Sequence, residues 1–138
     1  MTDQTNSSNF SPSPLTTSPF NDDKFHDECG VFGVFNTKEA STHTVLGLHA
    51  LQHRGQEAAG IVSQGDGQFY SHKSLGHVAD NFNTKPVIES LPGTSAIGHV
   101  RYSTSGGAGL RNVQPLFADL ASGGFAVAHN GNITNALT

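Results

Sequence analysis

The sequence predicts a small α+β domain behind a non-globular leader, and three observations predict it. Residues 1–28 are dense in Ser, Thr, Pro, Asn and Asp, whereas from residue 29 onward short apolar runs begin to recur. Some of those runs are β-branched and aromatic, as strands are; another carries apolar residues at helical spacing. Asp66-Gly67 stands between two strand-like runs and is a strong hairpin signal. With charged residues at only 13% and 16 glycines, the domain should be compact and rich in loops.

The leader comes first. Met1 to about Asn21 holds too little apolar surface to offset the entropy of ordering it, so disorder is expected there. Asn21-Asp22-Asp23-Lys24 continues as a polar, exposed approach. The leader lacks a basic segment followed by an apolar one, so it is not a secretory signal. No apolar run in the chain is long enough to span a bilayer. A net charge of −4 gives no reason to expect nucleic acid or an anionic membrane as partner. One cysteine cannot form an internal disulfide, and the cytoplasm is the expected compartment.

The folded part opens with Glu28-Cys29-Gly30-Val31-Phe32-Gly33-Val34-Phe35, read as a buried strand whose glycines let its backbone pack closely. Cys29 has two readings. It is a small buried hydrophobe starting a strand, or it is a nucleophile exposed by cleavage after Glu28. In the second case the new α-amine, with an ordinary pKa of roughly 7.7–8.0, can take the thiol proton. An internal Cys29 would carry an amide there, and an amide is no base.

Asn36-Thr37 makes a turn, with Thr37 as N-cap and Glu39 in the first turn of a helix over Lys38–His53. The expected buried face is Val45, Leu48 and Leu51, widened by Leu46 and Ala50. His49 and His53 have a zinc-compatible spacing, but no glutamate stands between them and spacing suggests no third ligand, so no metal site is assigned. Gly55 ends the helix. Arg54 then stands in a Gly-bounded turn, either as a solvated side chain or as one that orients a nearby site.

The hairpin joins Ile61–Ser63 to Gln68–Ser71, and short helices follow over Leu75–Phe82 and Lys85–Leu91, the latter stopped by Pro92-Gly93. A strand over Ser95–Tyr102 places Arg101 at its end. There it either binds a carboxylate through two parallel hydrogen bonds or caps a sheet edge. Ser103–Gly109 is a hydroxyl- and glycine-rich loop, a ligand lid or ordinary surface. The last strand, Gly124–His129, runs into Asn130-Gly131-Asn132. Asn-Gly is a common hairpin turn, and it is equally an amide with a freely approached N–H, suited to an oxyanion hole. A short helix capped by Asn132 is expected over Ile133–Leu137.

Five motifs in order resolve these alternatives. They are Cys29-Gly-Val-Phe-Gly, His53-Arg-Gly-Gln-Glu-Ala-Ala-Gly60, Gly98-His-Val-Arg-Tyr-Ser-Thr104, Asn112-Val-Gln-Pro-Leu116 and His129-Asn-Gly-Asn-Ile-Thr-Asn135. Together they resemble the glutaminase domain of the amidophosphoribosyltransferases, class II glutamine amidotransferases that open purine synthesis. The resemblance runs from about Asp22 to Thr138. Asn-Val-Gln-Pro and Arg-Tyr-Ser-Thr set it apart from glucosamine-6-phosphate synthase, the runner-up within that class.

The resemblance implies a four-layer αββα sandwich of the N-terminal nucleophile hydrolase type. It implies residues 1–28 as a cleaved propeptide and 29–138 as a partial glutaminase domain. Cys29 would attack glutamine, and Asn130 and Gly131 would stabilise the oxyanion. Arg101 and Thr104 would bind glutamine, with Arg54 supporting the nucleophile. Ammonia would pass to phosphoribosyl pyrophosphate on a further domain. The family's glutaminase domain continues past Thr138, where an aspartate holds the α-amine of glutamine. Mg2+ and, in some relatives, an iron–sulfur cluster would belong to the part beyond, and the full-length protein would be a homo-oligomer. The competing expectation is a truncated, non-catalytic remnant of such a domain.

Overall fold

A computed structural model describes residues 29–52, 56–102 and 109–131. Its architecture is mixed α/β. Four strands form one antiparallel sheet: β1 (Gly30–Val34), β2 (Ala58–Gly65), β3 (Gln68–Leu75) and β4 (Ser95–Arg101), in the order β1-β4-β2-β3. A second, two-stranded ribbon pairs β5 (Leu116–Leu120) with β6 (Gly123–Val127). Helix α1 (Ala40–Leu51) covers one face of the sheet, and the short helices α2 (Val78–Asn81) and α3 (Lys85–Glu89) link β3 to β4.

The period of two along each strand decides which side chains meet α1. Phe32, Gly98 and Ile61 lie side by side in register, as do Gly30, Val100 and Ala59. Over them α1 presents Ala40, Ser41, Thr44, Gly47 and Leu48 as its buried residues. The approach is close because glycine stands on both sides. A Cβ on Gly98 would come within 2.6 Å of Leu48 Cδ1 and 2.8 Å of Thr44 Cγ2, and one on Gly47 would strike the Phe32 ring. Phe82 and Val78 close the end of this core, with the His72 ring set edge-on to Phe82 at 5.0 Å.

The ribbon lies against the other face. Phe117 packs on Phe69 of β3 with ring centroids 5.3 Å apart, and Gly124 sits where a side chain would meet the same Phe69 ring. An apolar cleft between the layers is lined by Gly33, Val62, Ile97, Phe69 and Ala126. The β2–β3 turn takes left-handed φ at Asp66 (51°) and Gly67 (75°), the geometry expected of an Asp-Gly hairpin.

Several expectations need correction. Helix α1 starts at Ala40 rather than Lys38, and Glu39, with φ 55°, is its N-cap in place of Thr37. Thr37 is held elsewhere, its N–H donating to Thr94 O at 2.9 Å. No acidic residue occupies the first turn. Leu48 is buried as expected and Val45 and Leu51 pack against the core, but small residues complete the buried face and Leu46 and Ala50 are exposed, because helix and sheet approach closely. The helix expected over Leu75–Phe82 begins only at Val78, because β3 continues to Leu75 in register with β2. Strand β1 is only half-buried, since it forms an edge of the sheet among the described residues, and Phe35 beyond it is exposed. Strand β5 had no counterpart in the sequence reading. Helix α1 ends at Leu51, with Gln52 already extended, two residues before the expected His53 and ahead of Gly55. The Ser103–Ala108 part of the loop and the helix over Ile133–Leu137 fall outside the described residues.

Candidate active site

The end of the sheet where β1 starts and β4 finishes brings Cys29 and Arg101 together. Cys29 precedes β1 and is half-buried. Its Sγ lies 3.5 Å from the main-chain N–H of Tyr102, which points at it, and 3.7 Å from Tyr102 O. Gly30 pairs with Val100, so one further step of the antiparallel register sets Cys29 beside Arg101. Arg101 is the last residue of β4 and pairs with Ala58 across β2. Its carbonyl accepts the Glu57 N–H at 3.0 Å, which ties the Gln56-Glu57 segment to the same place. Gln56 is buried, and its Nε2 donates to Gly76 O (3.1 Å) and Ala58 O (3.3 Å).

Asn130 and Gly131 follow β6, exposed, with Gly131 at φ 139°. That φ is one that L side chains rarely adopt, so glycine suits the position. Thr104 and Arg54 fall outside the described residues.

Two residues that the sequence reading left without a role lie beside His129, which precedes the Asn130–Gly131 turn. His99 lies two places before Arg101 on the same face of β4 and is 1% exposed. Neither ring nitrogen has a hydrogen-bond partner of good geometry among the described residues. Burial pushes its pKa from 6.5 down to about 4. The main chain of His129 beside it acts the other way, and the charges of His129 and Arg101 push it further down. His99 is therefore neutral near pH 7.

The second residue is Gln114. Its Oε1 accepts the His129 N–H at 2.7 Å, and its own carbonyl sits on Gly60, where any Cβ would collide with it. Gly60 is the register partner of His99. The Gly-His and Val-Gln pairs inside the quoted motifs carried this signal. By local rules, however, they read as ordinary strand and loop.

Comparison with known proteins fits this geometry. The chain is 54% identical over 123 residues to amidophosphoribosyltransferase of Rhizobium etli, covering 89% of this chain and 25% of that one. It is 52% identical over 126 residues to the chloroplastic amidophosphoribosyltransferase 3 of Arabidopsis thaliana, covering 91% of this chain and 24% of the other. This chain belongs to the amidophosphoribosyltransferase family. Among solved structures, the glutamine phosphoribosylpyrophosphate amidotransferase of B. subtilis, complexed with ADP and GMP, superimposes with a TM-score of 0.67. It is 45% identical, with 77% of this chain and 22% of that chain covered. The chain thus spans about a quarter of the length of these amidophosphoribosyltransferases. No protein-family model matches it.

Proposed function

We propose that this chain is the glutaminase part of an amidophosphoribosyltransferase, releasing ammonia from glutamine for transfer to phosphoribosyl pyrophosphate and so forming phosphoribosylamine. The observation that carries the reading is Cys29 at the head of β1, its thiol held against the main chain of Tyr102, next to Arg101. The family relationship supports it.

Cleavage after Glu28 frees the α-amine of Cys29, so residues 1–28 are a propeptide. The α-amine takes the thiol proton, and the thiolate attacks the side-chain amide carbon of glutamine. The resulting oxyanion is stabilised by the Asn130 side chain and the Gly131 N–H. Collapse expels ammonia, to which the α-amine returns the proton, and leaves a thioester on Cys29. Water hydrolyses the thioester to glutamate. Arg101 binds the α-carboxylate of glutamine through two parallel hydrogen bonds. Thr104 closes the loop over the substrate, and Arg54 supports the surroundings of the nucleophile.

The described helix, sheet and ribbon form part of a four-layer αββα sandwich. Mg2+ and any iron–sulfur cluster belong to the phosphoribosyltransferase side. Among the described residues no three His, Cys, Asp or Glu side chains gather to hold a metal. No described helix is long and apolar enough to cross a membrane. The cytoplasm and a homo-oligomer complete the reading.

The test is Cys29→Ala in the full-length protein. Glutamine-dependent synthesis of phosphoribosylamine is expected to vanish, while synthesis from supplied ammonia continues. Glutamine hydrolysis that survives in Cys29→Ala would remove the nucleophile assigned here.

A further inference from the structure

The pairing of β5 with β6 stops short of the turn it has to support. Its register ends at Leu116 opposite Val127. Two further steps would set Gln114 opposite His129, but the intervening Pro115 has no N–H to donate, so the ladder cannot continue regularly. Where the ladder stops, the Gln114 side chain takes over, and its Oε1 accepts the His129 N–H at 2.7 Å. The main chain of Gln114 is itself seated on Gly60, a position that no larger residue could occupy without displacing it. Beneath the same stretch lies His99, fully buried and without a well-formed partner for either ring nitrogen, with the main chain of His129 beside it. A buried imidazole is costly unless it hydrogen-bonds.

We infer that Gln114 and His99 are positioning residues that grip the main chain of His129 from two sides and so fix the Asn130–Gly131 turn in register with Cys29. This rests on the glutaminase reading and deepens it. Gln114 takes the His129 N–H, and the fully buried His99 ring backs the same stretch of main chain from β4. Neither touches substrate. An oxyanion hole works only when its donors already stand where the charge will develop, about 2.7–3.1 Å away. Slack one residue upstream therefore costs turnover rather than substrate binding, which belongs to Arg101.

The experiment uses the full-length protein with Gln114→Leu, which keeps bulk and loses the acceptor, and Gln114→Glu, which keeps both. For Gln114→Leu, kcat with glutamine is expected to fall roughly 10- to 100-fold, the scale of a displaced reacting group. KM for glutamine and ammonia-dependent synthesis should stay near wild type. Gln114→Glu should restore most of kcat, and His99→Phe should show the same split as Gln114→Leu. Amide hydrogen exchange at His129, which needs no glutamine chemistry, should speed up in Gln114→Leu and return toward wild type in Gln114→Glu. A wild-type protein that does not hydrolyse glutamine would sink the glutaminase reading, and exchange alone would then decide the clamp. Unchanged exchange at His129, an unchanged kcat in an active enzyme, or a parallel loss of ammonia-dependent synthesis would each overturn it.

Discussion

The two faces of the four-stranded sheet are built on opposite terms. The face under α1 is dry and closely fitted, with Ala59, Ile61, Val100 and Leu48 essentially fully buried and glycines cut away where helix and sheet would collide. Its buried hydroxyls are satisfied: Thr44 donates to Ala40 O at 2.8 Å, and Ser41 donates to Leu91 O. The face under the ribbon carries His99 and Arg101, and it is covered by strands whose Leu116, Phe117, Leu120 and Phe125 remain substantially exposed. Of the three buried side-chain atoms without a partner among the described residues, two are the ring nitrogens of His99 and the third is Gln56 Oε1. One face spends its contacts on holding the fold. The other keeps polar groups buried at a cost, as a site does.

The sharpest way to break this comparison is to put the same insult on each face. Gly98→Ala forces a methyl group against Leu48 and Thr44, and overpacking of this kind typically costs about 1–3 kcal/mol. The expected outcome is a clear drop in the denaturant midpoint of the full-length protein. Gly60→Ala puts one methyl group on the opposite face, against the Gln114 carbonyl. Here the main chain of Gln114 must move, so glutamine-dependent turnover should fall while ammonia-dependent turnover holds, whereas Gly98→Ala should cost stability without that split. The same split in Gly98→Ala would mean that the two faces are functionally alike.

A gentler test uses pH. The pKa of His99 is depressed by burial to about 4, against 6.5 when unfolded, so between these values the unfolded chain binds more protons. The stability that this imidazole contributes is therefore fully present above about pH 6.5 and is lost as pH falls toward about 4. The groups around it are Arg101 on its own strand, His129 beyond β6, and Lys73 across Gly60, whose own pKa burial lowers. Comparing unfolding midpoints of wild type and His99→Phe from pH 7 to 4 should show a decline in wild type that the variant lacks. Parallel curves would mean that His99 is not held neutral by its surroundings.

Much of the frame was legible in the sequence, for reasons that are local. Asp66-Gly67 dictates its hairpin, Pro86 lies at the start of α3, and Val31, Phe32 and Val34 mark β1. What was missed depends on distance. The buried face of α1 follows from Gly98, about fifty residues further on, which lets the helix come close enough that small residues serve better than Leu46. Strand β5 is exposed on all five residues, and Leu116–Leu120 has no alternation to betray it. For the candidate site, Cys29, Arg101 and the Asn130–Gly131 turn were singled out through motif context. His99 and Gln114 were not, because their roles exist only once β4, Gly60 and the end of β6 are brought together.

The central claim is that Cys29, freed as an N-terminus, is the nucleophile. Mass spectrometry of the mature full-length protein after treatment with a glutamine-mimicking electrophile tests it most directly. The account predicts an N-terminal peptide that begins at Cys29 and carries the adduct on its sulfur, with labelling suppressed at low pH where the α-amine is protonated. An active protein that still begins at Met1, or one whose adduct lies on another residue, would contradict it.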